Sequence, residues 1–180
     1  MKVLGILGGA RKEGNTSRLL EEVLGGAAYA GHETILFRLM DMEIGHLGNE
    51  GGKTTFPDDD FRQVMPHVEK MGALVIGSPI WEGTLDSRTQ VFLHRLYYYS
   101  KYYSEENVHL FPRGVKVVNI ITYGQKDPHK YDAVLKWLAA VERVHRIKSV
   151  RNIVAEGTGE RPTAGRADLL RRARSIGRKL

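Results

Sequence analysis

The residues with the most chemical potential in this 180-residue sequence stand in one early loop, Gly8-Gly9-Ala10-Arg11-Lys12-Glu13-Gly14-Asn15-Thr16-Ser17. Gly9 and Gly14 have the outer spacing of a nucleoside-triphosphate loop, but Asn15 stands where that loop needs its lysine. The lysine neutralises β- and γ-phosphate charge, and an amide cannot. The central strand also ends without the acidic residue a Mg²⁺ site would want. No G-x-G-x-x-G follows the first strand, which argues against a dinucleotide fingerprint. What remains is a cradle for one phosphate ester. The loop runs into a helix N-terminus, where free N–H groups and the macrodipole favour an anion. Arg11 adds a forked cation, and Asn15, Thr16 and Ser17 add neutral donors. Were these three residues only helix caps, Arg11, Lys12 and the glycines would have no purpose.

Such a loop must be held by a strand before it and a helix behind it. Residues 3–7 form an apolar run that reads as a buried strand rather than the core of a signal segment. Leu19, Leu20, Val23, Leu24, Ala27 and Ala28 then recur at helical spacing, and Gly31 is a stop signal. Further strands are expected at 33–39, 73–77, 115–122 and 150–155. The continuous apolar run Ala73-Leu74-Val75-Ile76-Gly77 suits a central parallel strand buried on both faces. Helices are expected at 60–71, 85–103, 128–146 and 164–180. Residues 45–60 are the least structured by composition. Strand–helix alternation five times over implies one α/β domain spanning 1–180, a doubly wound parallel sheet between helix layers. Such sheets bind ligands at the carboxyl ends of their strands.

Composition narrows the chemistry. Hydrophobic residues make up 42% and charged residues 27%, a globular mixture, and there is no cysteine. Disulfides, thiolate metal sites, cysteine-held iron–sulfur clusters and a cysteine nucleophile are thereby excluded. A cytoplasmic setting is compatible with this, and no apolar stretch approaches the ~20 residues of a membrane span. The net charge of +6 is concentrated in Arg166, Arg171, Arg172, Arg174, Arg178 and Lys179. A solvated helix face explains that run better than nucleic acid does.

Three segments together resemble the NADPH-dependent FMN reductase family. They are residues 8–17, Gly77-Ser78-Pro79-Ile80-Trp81-Glu82-Gly83, and Thr122-Tyr123-Gly124. The resemblance covers roughly the first 125 residues in order. It implies a flavodoxin-like fold with a five-stranded sheet in the order 2-1-3-4-5 and three α/β/α layers. It implies that Gly9, Arg11, Asn15, Thr16 and Ser17 hold the phosphate of FMN. Pro79, Ile80, Trp81, Glu82 and Gly83 would line the isoalloxazine, and Thr122, Tyr123 and Gly124 would close around it. The residue types suit this: a flavin needs a flat apolar wall, which Trp81 supplies, and glycine permits close backbone approach. Trp81 and Tyr123 stand just beyond strand ends, which favours that role over one as core aromatics.

The implied activity is an NAD(P)H oxidoreductase in which hydride passes from the nicotinamide co-substrate to flavin and on to a small acceptor such as a quinone or free flavin. No side-chain acid or base is required, so no catalytic residue and no metal is assigned. The alternative is a non-enzymatic electron carrier of flavodoxin type, which the basic charge disfavours. Two departures from the family stand out. Gly9-Ala10 replaces a frequent Ser-Pro, removing one hydroxyl donor. His46 and Asn49 stand where an iron–sulfur branch carries cysteines, so no cluster forms. The tyrosine-rich stretch 97–103 fits a subunit interface of a homodimer or homotetramer better than base stacking. Asp58-Asp59-Asp60 reads as the capping charge of a helix start.

Overall fold

The computed structural model describes residues 1–100 and 109–180. Five strands form the main sheet: β1 (Lys2–Leu7), β2 (Glu33–Arg38), β5 (Met71–Trp81), β7 (Lys116–Thr122) and β8 (Ser149–Ala155). They lie parallel in the order β2-β1-β5-β7-β8, the doubly wound order 2-1-3-4-5 when these five are counted alone. Between β2 and β5 a small antiparallel hairpin pairs β3 (Gly48–Glu50) with β4 (Lys53–Thr55). β6 (Thr84–Leu85) folds back on the end of β5.

Helices α1 (Asn15–Tyr29) and α5 (Ala167–Arg178) cover one face of the sheet. Helices α2 (Phe61–Val68), α3 (Ser87–Arg95) and α4 (Asp132–Val144) cover the other. Strand alternation sorts the core accordingly. Val3, Val75, Val118 and Ile120 pack with Leu19, Leu20 and Val23, whereas Leu4, Ile6, Leu74 and Ile121 pack with Phe61, Phe92 and Leu138. Helices α1 and α5 touch backbone to backbone. A Cβ on Gly177 would lie 1.9 Å from the Val23 carbonyl oxygen, and one on Gly26 would lie 2.1 Å from that of Arg174. This contact anchors the helix whose N-terminus the early loop feeds.

Several element boundaries differ from the sequence reading. The helix expected over 85–103 is split. Leu85 belongs to β6, α3 ends at Arg95, and a 3₁₀ turn covers Leu96–Tyr99. Tyr99 is buried and Tyr98 meets Phe56 edge-on, while Tyr102 and Tyr103 lie outside the described residues. The last helix begins at Ala167 because Thr163–Gly165 forms a 3₁₀ turn tied to the early loop. Helix α4 starts at Asp132, since Asp127 to Tyr131 makes separate turns.

The stretch 45–60, expected to be irregular, is organised by a buried ion pair. Arg95, 2% exposed, pairs with Asp59 and donates to the Gly45 carbonyl at 3.0 Å. Asp59 also accepts the N–H groups of Gly45 at 2.8 Å and Phe61 at 3.0 Å, which ties it to the first residue of α2. Burial raises the Asp59 pKa, but Arg95 and these two N–H groups outweigh it and hold the carboxyl below its ordinary value.

Candidate active site

The carboxyl ends of β1, β5, β7 and β8 meet around a cleft of about 530 Å³. Gly9, Arg11, Asn15, Thr16 and Ser17 line one end, and Pro79, Ile80 and Trp81 one wall. Thr122, Tyr123 and Gly124 line the floor. Eleven of the thirteen residues singled out from the sequence therefore converge here. The other two, Glu82 and Gly83, do not line the cleft. They form the two-residue turn between Trp81 and Thr84, with φ of 44° and 83°. Positive φ at both positions is the geometry of a tight hairpin turn, and it projects Trp81, 58% exposed, over the cleft.

The end formed by the early loop has a clear donor inventory. Among the described residues, no acceptor takes the N–H groups of Asn15, Thr16 or Ser17. These are the orphan donors of a helix start. The hydroxyls are more committed. Ser17 Oγ donates to the Gly14 carbonyl at 3.1 Å and accepts the Gly14 N–H at 2.8 Å. The buried hydroxyls of Thr16 and Thr122 hydrogen-bond each other at 2.7 Å, which leaves one free proton between them. Asn15 Oδ1 accepts the Thr163 N–H at 2.8 Å, so Asn15 offers only its amide NH₂. An anion here meets main-chain N–H groups and the exposed Arg11 rather than three side-chain hydroxyl or amide donors.

Gly9 explains the missing serine–proline in steric terms. Its φ is 89°, and a Cβ would lie 3.0 Å from Pro79 Cγ. The loop can press against the β5 wall only with glycine at this position. Tyr123 contributes backbone rather than ring to the floor. It is 4% exposed, donates its hydroxyl to the Asp127 and Pro128 carbonyls at 3.1 and 3.0 Å, and packs edge-on against Tyr131. Burial first, then the Glu156, Asp127 and Asp132 carboxylates, push its phenol above the ordinary value and keep it a donor.

Five lining residues lie outside the thirteen: Gly8, Ala10 and Gly14 within the early loop, and Thr158 and Gly159, in a loop beyond β8 that was not foreseen. The Thr158 N–H and hydroxyl both donate to the Tyr123 carbonyl at 3.0 Å. The signal was available, because Gly157-Thr158-Gly159 follows the fifth strand as the other glycine-bearing loops follow theirs. The hairpin of β3 and β4 does not line the cleft. Among the described residues, the cleft lining contains one cation, Arg11, and no carboxylate, histidine or lysine. Among the described residues there is no cluster of three or more metal-ligating side chains, and no helix is long and apolar enough to cross a membrane.

A model of the NADPH-dependent FMN reductases matches residues 1–157. The chain belongs to that family. An iron–sulfur flavoprotein of Methanocaldococcus jannaschii is 31% identical to this chain over 100 residues. That match takes in 53% of this chain and 51% of the other, so the chain spans about half the length of this relative. The cysteine-free sequence has no thiolate to hold the cluster named for that relative. Among solved structures, an NAD(P)H:quinone oxidoreductase from Methanothermobacter marburgensis superposes with a TM-score of 0.76 at 17% identity, over 99% of this chain and 96% of that one. An azoreductase from Bacillus anthracis superposes with a TM-score of 0.72 at 15% identity, over 99% of both chains. At these identities the likeness establishes the shared flavodoxin-like fold.

Proposed function

We propose that this family member is an FMN-dependent NAD(P)H oxidoreductase acting on a small acceptor such as a quinone or free flavin. The observation that carries the reading is the cleft's donor set among the described residues: unpaired helix N-terminal N–H groups and one guanidinium at one end, a flat apolar wall at the other, and no carboxylate in the lining. Arg11, the N–H groups of Asn15, Thr16 and Ser17, and the Asn15 amide would hold the phosphate. Pro79, Ile80 and Trp81 would form the ring's wall, and the backbone of Thr122, Tyr123 and Gly124, with Thr158 and Gly159, its floor. Bound FMN supplies the capacity to accept hydride from a nicotinamide and release electrons to the acceptor. The chain's own residues bind, orient and exclude water, and none in the lining is placed to act as a general acid or base. Trp81 is 58% exposed, so its ring stays accessible to a second flat molecule.

We also infer that the protein works in the cytoplasm as a homo-oligomer. Leu110, Trp137 and Val144 are exposed at 48%, 39% and 42%, apolar surface that a second copy would cover. Light scattering at micromolar concentration checks the assembly.

The purified protein is expected to be yellow and to release FMN on denaturation. Arg11→Ala should weaken FMN binding by about 1.5–3 kcal/mol, the range for a hydrogen bond to a charged group, while riboflavin affinity barely changes. Equal losses for both ligands would remove Arg11 from the phosphate site. NAD(P)H oxidation with a quinone, faster than with free FMN alone, separates an enzyme from an electron carrier.

A further inference from the structure

Resting on the FMN reading above, we propose that the phosphate cradle is open at its outer end and that the chain also binds FAD, with the adenylate half in the groove beside α1. The groove has a volume of about 500 Å³, and Gly14 and Ser17 line both it and the cleft. A phosphate seated on the α1 N-terminus therefore borders the groove directly, and a pyrophosphate could continue into it.

The groove's side chains match the parts of an adenylate. Lys12 pairs with Asp41 and Arg38 with Glu21, each at 3.4 Å, across the groove. Arg18 also lines it and has no ion-pair partner among the described residues. In a pyrophosphate diester each phosphate carries one negative charge, which Arg18 meets, while Glu13, likewise without an ion-pair partner among the described residues, keeps the groove neutral overall. The carboxylates of Glu21 and Asp41 can accept from a ribose diol, the interaction that fixes adenosine ribose in dinucleotide sites. The partly exposed Arg38 guanidinium offers a planar face to a purine.

The six charges lining the groove, three of each sign, sum to zero. It is thus a poor sink for a free anion and acts only as an extension of a phosphate anchored next door. A basic strip would favour any polyanion, whereas mixed charge favours a ligand with both anionic and diol groups.

The test is titration of deflavinated protein with FMN, FAD and riboflavin, followed by flavin fluorescence. FAD is expected to bind within tenfold of FMN. Arg18→Glu should raise the FAD dissociation constant at least tenfold and that of FMN less than threefold. Glu21→Ala removes a diol acceptor and also releases Arg38 from its ion pair; it should still weaken FAD selectively. FAD binding more than tenfold weaker than FMN, or equal effects of both variants on the two flavins, overturns the inference while leaving the FMN site standing. Failure of FMN itself to bind would overturn the proposed function as well.

Discussion

Replacing Arg95 by methionine should destabilise the protein by about 3–5 kcal/mol, the range for removing one partner of a buried ion pair. The structure places the effect toward the lower end. Asp59 is 11% exposed and would keep the N–H groups of Gly45 and Phe61. Against that, the Gly45 and Pro57 carbonyls would lose their donor at 3.0 and 3.3 Å. The guanidinium would also leave the Phe61 ring, whose centroid lies 4.8 Å away. Methionine fills most of the volume, so a cavity contributes little. Asp59→Asn should cost less, because the amide oxygen still accepts an N–H. The double variant should be more stable than the two single losses predict, with a coupling of about 2 kcal/mol or more. Urea unfolding at neutral pH measures all four proteins. The Asp59 pKa is lowered in the fold, so its stabilisation is present above its unfolded value and lost as pH falls through the folded one. Arg95→Met should remove that part of the acid limb. A loss below about 1 kcal/mol, or strict additivity in the cycle, would refute the view that this pair organises residues 45–60.

His145 should make the fold acid-sensitive in a second window. Burial, then neighbouring His109, pushes its pKa down to about 4, and its Nδ1 has no hydrogen-bond partner. Neutral His145 stabilises fully above the unfolded value of 6.5, and the contribution fades as pH drops toward 4, by about 3 kcal/mol in all. His145→Gln should flatten stability against pH between 6.5 and 4; an unchanged profile would show that His145 does not titrate with unfolding. Gly177→Ala should cost more than about 2 kcal/mol, because its Cβ would meet the Val23 carbonyl of a helix that cannot retreat from the sheet. Thermal unfolding tests this, and a shift of under a degree would contradict the close contact of α1 and α5.

Much of this protein was legible in its sequence. The alternation of apolar runs and amphipathic stretches gives the five parallel strands, because burial on both faces demands continuous apolar strands and one-sided burial demands helical stripes. The early loop stood out through residue types that only a helix start and an anion would use together. Eleven of the thirteen chosen residues converge on one cleft because each lies at the carboxyl end of a strand, or at the helix start that β1 feeds.

Tertiary structure alone decided how each group is used. Whether Ser17 offers its hydroxyl or its N–H depends on what already occupies that hydroxyl, and Gly14 does. Tyr123, expected from sequence to close around the ring, becomes a floor of backbone, because Asp127, Pro128 and Tyr131 claim its side chain. The Arg95–Asp59 pair joins residues 36 positions apart, and no local pattern marks a surface-type residue for burial. The groove shared through Gly14 and Ser17 arises only when β2 and α1 stand side by side. Local chemistry determines which residues are able to act, and packing determines which of their atoms are left free to do so.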